Sequence, residues 1–108
     1  MTRRDLLPGL LEMLILRTLS TQPMHGYAIA QHLKRLSQEV IQVEEGTLYP
    51  ALQRLRQRGC VRAEWRQTPN SQRARYYEIT ATGRTRLGEQ VDGYAELIAA
   101  VGRVMRRA

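Results

Sequence analysis

The 108-residue chain has no phenylalanine, one tryptophan, five tyrosines, one cysteine, two histidines and a single lysine. Without phenylalanine, the core must be built mainly from aliphatic side chains. A lone cysteine, Cys60, excludes an intramolecular disulfide framework and a cysteine-based zinc cluster, and makes the cytoplasm the default location. No run approaches the roughly 18 apolar residues that a membrane-spanning helix needs. Arg3 and Arg4 precede an apolar stretch from Leu6 to Leu16, which superficially resembles a secretory signal. Glu12 interrupts that stretch, Pro8-Gly9 opens it, and no A-x-A-like cleavage site follows, so the signal reading is set aside. His25 and His32 stand two helical turns apart with no third ligand at a sensible spacing, so no metal site is expected. No Ser/His/acid set or paired carboxylates stand out, so neither catalysis nor a cofactor is expected.

What the chain does have is positive charge, and that charge is segregated. Seventeen basic residues face ten acidic ones, giving a net charge of +7 and a pI near 10.5. Nine arginines and only two acids, Glu64 and Glu78, lie between Arg54 and Arg86, so the whole excess sits in that window. Such a cluster suits a polyanion, since each neutralised phosphate releases condensed counterions. An anionic membrane surface is the competing partner, although none is expected here. With 43% hydrophobic and 25% charged residues the chain is one small globular domain, not a disordered basic tail. A domain of this size buries very roughly 65% of its unfolded surface, so burial at a subunit interface would help it.

Periodicity lays out the elements. A first helix runs from Pro8 to Leu19; it is apolar nearly all round, so it is buried on more than one side, either by a second subunit or by its own core. Leu11 and Leu14 are its candidates for contact with a second copy. A second helix, His25 to Ser37, carries an apolar stripe at Ile29, Leu33 and Leu36. The third, Thr47 to Arg58, repeats that stripe at Leu48, Leu52 and Leu55, and Gly59 ends it. Pro50 is harmless only in a first turn, so this helix should begin at Thr47, whose hydroxyl could cap it. Away from its leucines, Thr47, Tyr49, Gln53, Arg54, Arg56 and Arg58 form either a solvated face or a major-groove reading surface. Two strands follow, from Val61 and from Arg73 to Thr80, around a polar tip at residues 67–72 flanked by Arg66, Arg73 and Arg75. A last helix, Ala81 to Arg106, repeats apolar residues at Leu87, Val91, Tyr94, Ile98, Val101 and Met105, a heptad seam suited to self-association. Leu97 and Val104 form a second line that would serve if this helix also packs on the first.

The fold expected is therefore mainly α with a small β-hairpin. Its element order is that of a winged helix-turn-helix, residues 1–80, followed by a C-terminal dimerisation helix, residues 81–108, within one structural unit. The connection from Gln38 to Gly46 is longer than the usual turn of such a pair.

Several runs carry a family resemblance: Leu11-Glu12-Met13-Leu14-Ile15-Leu16, His25-Gly26-Tyr27, GTLYPALQRL from Gly46 to Leu55, and RARYYEIT from Arg73 to Thr80, with Gly59, Trp65 and Gly83. The chain resembles the PadR family of bacterial transcriptional regulators, in its branch with a single helix after the wing. That resemblance implies a homodimeric repressor that holds a pseudo-palindromic operator and leaves it on an effector signal. It also implies recognition-helix contacts at Gly46, Thr47, Tyr49, Pro50 and Arg54, and wing contacts at Arg73, Arg75 and Tyr76. Gly46 would let the backbone approach phosphate, while arginine forks onto guanine or phosphate; Gln53 and Arg66 join the set by position. Tyr27 has two readings, a phosphate contact or packing under the third helix. Some family members hold flat aromatic drugs between their final helices with a tryptophan; here the only tryptophan, Trp65, is on the first wing strand, where it should be core, and the last helix offers Tyr94. Cys60 beside an apolar strand reads as packing rather than a redox switch. The alternative to an effector-responsive repressor is a basic dimeric nucleoid-type or protein-interaction module.

Overall fold

The computed structural model describes residues 9–107. Four helices and a small sheet appear in the order α1 (Leu10–Leu19), β1 (Met24–His25), α2 (Gly26–Leu36), α3 (Glu45–Gln57), β2 (Val61–Gln67), β3 (Arg73–Ile79) and α4 (Ala81–Arg107). The sheet is antiparallel with strand order β1-β3-β2. This is a winged helix with a long C-terminal helix, mainly α as its sequence pattern implies.

α1 is the hub. Ile15, Leu16 and Leu19 are buried, and the helix packs against α2, α3, α4 and β3 of its own chain. Its second apolar side is thus covered internally. Leu11, expected at a subunit contact, belongs to this core, and Leu14 packs half-buried against it. Gly9 precedes the helix with φ +84°, in the left-handed region that glycine adopts without strain; Pro8 lies outside the described residues.

α2 starts one residue later than expected because His25 caps it: its Nδ1 accepts from the Ala28 N–H at 3.1 Å. The two residues before the helix form β1, pairing Met24 with Tyr77 and His25 with Tyr76, a strand too short to show alternation in sequence. Leu36 does not complete the buried stripe; it is 67% exposed. It is the last residue of α2, and the chain then turns away through Gln38 and Glu39, both with positive φ.

α3 begins at Glu45, not Thr47, with Glu44 as the preceding cap residue. Thr47 is therefore inside the first turn and caps nothing, and Pro50 is the sixth helical residue. The missing Pro50 N–H leaves the Gly46 carbonyl without its usual donor. Gly46 is exposed with nothing within 4 Å of a would-be Cβ, so water can satisfy that carbonyl and the helix tolerates the proline.

The wing is the β2-β3 ribbon, registered from Val61 opposite Ile79 to Gln67 opposite Arg73. Its pleat sorts the side chains. Val61, Ala63, Trp65, Ile79, Tyr77, Arg75 and Arg73 share the face that covers the core, whereas Arg62, Glu64, Arg66, Glu78 and Tyr76 share the outer one. Trp65 is on the core-side face but beyond the core, and is 60% exposed. It does not fill the wing; the ribbon simply outruns the helices beneath it.

α4 is anchored at its start. A Cβ on Gly83 would lie 2.2 Å from the Cys60 carbonyl oxygen, so glycine is what lets helix and strand meet. Leu87, expected to open the self-association seam, is buried in the chain's own core. The 10-residue α1 spans about 15 Å and the 27-residue α4 about 40 Å, so α1 can cover only part of α4. Leu97 and Val104 accordingly do not pack away; they stay exposed together with Val91, Tyr94, Ile98, Val101 and Met105, all between 42% and 72% exposed.

Candidate nucleic-acid interface

Between the wing and the helical pair lies an open groove of about 1090 Å³. Trp65, Arg73 and Arg75 form its wing wall, and His25, Tyr27, Gln31, His32 and Arg35 its α2 wall, with Tyr49 of α3 between them. The wall on the wing follows from register: where the ribbon leaves the core, its core-side face turns into groove. The Arg73 guanidinium lies 5.7 Å from the Trp65 ring centroid, so the indole orients a cation at the groove rim. Arg35 is hydrogen-bonded to the His32 ring at 3.2 Å. The groove thus presents three arginines among flat aromatic surfaces, the combination that meets phosphate and sugar together.

Tyr49 links both helices. Its hydroxyl lies where Gly26 has no side chain; a Cβ there would be 2.6 Å from the oxygen. Burial raises the Tyr49 hydroxyl above the usual tyrosine pKa, with the Glu45 carboxylate and Tyr77 adding to the shift. The group therefore stays protonated, and a donor, throughout the neutral range. Gly46, Thr47, Pro50 and Gln53 are exposed on α3, and Tyr27 is exposed at the start of α2, so Tyr27 is not packed under α3.

Not all expected contacts converge. Arg66 and Tyr76 lie on the outer face of the wing: Arg66 pairs with Glu64 and lies 5.5 Å from the Tyr76 ring centroid, and Tyr76 meets His25 edge-on at 5.3 Å. Strand alternation separates them from Arg73 and Arg75, so the wing residues named by sequence do not form one surface. Arg54 is also committed elsewhere. Its Nε donates to Glu12 at 3.1 Å, while Arg58 Nη1 donates to the other oxygen of the same carboxylate at 2.8 Å. Arg62 pairs with Glu78 at 3.1 Å. Of the nine arginines in the charged window, Arg54, Arg58, Arg62 and Arg66 are ion-paired; of the other five, Arg73 and Arg75 line the groove.

Residues that sequence reasoning missed are Gln31, His32, Arg35 and Trp65. The α2 residues were visible as the polar side opposite Ile29 and Leu33, but which way that side faces depends on the wing. Trp65 stands opposite Arg75 in the ladder, two residues past the last small core position, Ala63; that register was the available signal.

Among the described residues, no group of three or more His, Cys, Asp or Glu side chains could hold a metal ion. No helix among them is long and apolar enough to cross a membrane.

The family description "Transcriptional regulator PadR-like family" matches residues 15–89. The chain belongs to that family. Relatives span nearly the same length. This PadR-like chain is 32% identical over 97 residues to uncharacterized protein X of Lysinibacillus sphaericus, covering 90% of this chain and 89% of that one. A crystal structure of a PadR family transcriptional regulator from Eggerthella lenta is 33% identical, with TM-score 0.78 over 90% of this chain and 82% of that one. A PadR-like transcriptional regulator from Bacillus cereus is 25% identical, with TM-score 0.80 over 94% and 96%. Membership makes the PadR-like chain a DNA-binding transcriptional regulator.

Proposed function

We propose that the chain is a homodimeric repressor that holds a pseudo-palindromic operator, with α3 in the major groove and the duplex backbone lying in the groove between α2 and the wing. The observation that carries this reading is the convergence of Arg35, Arg73 and Arg75 with Tyr27, Tyr49 and Trp65 around one groove. Arginines fork onto phosphate and aromatic rings lie against sugars, while Thr47 and Gln53 reach for base edges. Gly46 keeps the helix start open to the backbone. Residues up to 80 read DNA, and residues 81–108 associate.

The dimer rests on the apolar face of α4. Seven large apolar side chains on one helix exceed what a monomer usually leaves exposed. A second copy of α4 is the occupant that fits, because the residues recur at heptad spacing. Two copies then present two such grooves, with half-sites one turn of duplex apart or a multiple of it.

Repression follows by occlusion, which needs only an occupied operator in the cytoplasm. The reading has no catalytic step and no cofactor. Release by a small-molecule effector rests on the family resemblance; with Trp65 on the wing, any aromatic effector held between the α4 helices would meet Tyr94 instead.

The test is selection of duplexes from a random pool, followed by binding with the selected sequence. Enrichment of an inverted repeat, bound by the wild type and lost on Arg73→Ala with Arg75→Ala while the dimer persists, is the expected result. An unenriched pool, or unchanged binding by the double variant, contradicts it.

A further inference from the structure

Glu12 and Arg17 are the only charged residues of α1, and Glu12 is 5% exposed. A buried carboxylate needs partners, and removing one leaves a strongly disfavoured charge. Its partners come from α3. Oε2 accepts from Arg54 at 3.1 Å and Oε1 from Arg58 at 2.8 Å, across 42 and 46 residues of chain.

Two partners four residues apart lie about 6 Å apart along the α3 axis. One such contact leaves a helix able to pivot about it; two, held by the two oxygens of one rigid carboxylate, fix both its roll and its position along α1. The leucines beneath α3 are non-directional and would accept a small rotation. The groups offered to DNA by α3, Thr47, Tyr49 and Gln53, sit on the same helix, so any roll moves them relative to the wing. Both arginines remain half-exposed on their outer side, at 47% and 50%, so the tie sits at the rim of the core and not at its centre.

We propose that Glu12 is a positioning residue for DNA reading, with Arg54 and Arg58 acting through its carboxylate to orient α3 rather than acting on nucleic acid. This rests on the DNA-reading role proposed above. Because α1 also packs on α4, the same tie joins the self-association helix to the reading helix.

The experiment uses the full-length protein and a duplex selected from a random pool, with a scrambled duplex as the non-specific probe, at a temperature where circular dichroism shows every variant folded. Glu12→Gln is expected to weaken binding to the selected duplex by about tenfold or more, with the scrambled duplex bound as before. Arg54→Ala is expected to do the same with an unchanged salt slope, and the double variant is expected to lose no more than either single one. A selected-to-scrambled ratio unchanged in folded Glu12→Gln overturns the proposal, since loss of a purely stabilising pair would lower only the melting temperature. A salt slope reduced by about one in Arg54→Ala also overturns it, because that marks a lost phosphate contact. If Glu12→Gln does not fold, Arg58→Ala leaves Glu12 one partner and is read by the same ratio. A wild type that prefers no duplex refutes the DNA-reading role itself, a result distinct from the others.

Discussion

Replacing Val91 and Ile98 with glutamate tests the association of α4. Both side chains are close to half-exposed in the single chain, at 45% and 49%, so the chain's own core barely depends on them. Complete burial of such a side chain contributes about 1.5–3 kcal/mol, so covering the remaining half in a dimer contributes roughly 1 kcal/mol each. Two sites on two protomers give roughly 4 kcal/mol, and at 1.4 kcal/mol per decade that is about a thousandfold in dissociation constant. Four carboxylates in an apolar seam add a desolvation penalty that the helices avoid only by separating. Sedimentation velocity over a concentration series reads the shift, with circular dichroism as the control for folding. The expected result is a folded monomer at concentrations where the wild type is dimeric. A double variant that sediments as a dimer with unchanged concentration dependence refutes the seam.

Three further outcomes follow from close contacts and from one perturbed group. Gly83→Ala places a Cβ against the Cys60 carbonyl at 2.2 Å and Ile79 Cγ1 at 2.8 Å, and neither can swing aside; the expected cost is about 2 kcal/mol, or roughly 10 °C in thermal melting. Gly26→Ala meets only the far end of Tyr49, so the melting temperature should move little while affinity for a selected duplex falls; a variant that binds as the wild type shows that Tyr49 has no part in the interface. The raised pKa of Tyr49 means that below the usual tyrosine value both folded and unfolded forms hold the proton and stability is unaffected. Above it the unfolded chain ionises first, so stability falls as pH rises, and Tyr49→Phe should flatten that alkaline loss in melts followed from pH 9 to 11.

The fold was largely legible because its elements announce themselves: stripes at Leu48, Leu52 and Leu55, alternation from Arg73 to Ile79, and a heptad repeat in α4. What was hidden is long-range. That Glu12 is buried could not be read from an apolar run that it merely interrupts, since its partners lie over 40 residues away. The same pairing puts Arg54, expected on the reading surface, at the contact between α1 and α3. On the wing, the family resemblance grouped Tyr76, and position beside the tip grouped Arg66, with Arg73 and Arg75, whereas the pleat puts the two pairs on opposite faces. Trp65 looked like core because tryptophan is usually buried, yet only the register against β3 shows that the ribbon has left the core by that point. The first helix left two coverings open, and Leu11 and Leu87 turned out to be claimed by the chain itself, so the proposed self-association surface is confined to the distal part of α4.

DNA is proposed to lie in the groove between α2 and the wing, held there by arginines not committed to ion pairs. The direct measurement is the dependence of affinity on salt for a selected duplex, comparing the wild type with Arg73→Ala plus Arg75→Ala and with Arg62→Ala, whose guanidinium is paired with Glu78 on the outer face. If each groove arginine neutralises one phosphate, the magnitude of the slope of log affinity against log salt falls by about two per protomer in the double variant and stays unchanged in Arg62→Ala. Equal slopes for all three proteins, or a larger loss from Arg62→Ala than from the groove pair, would contradict the account.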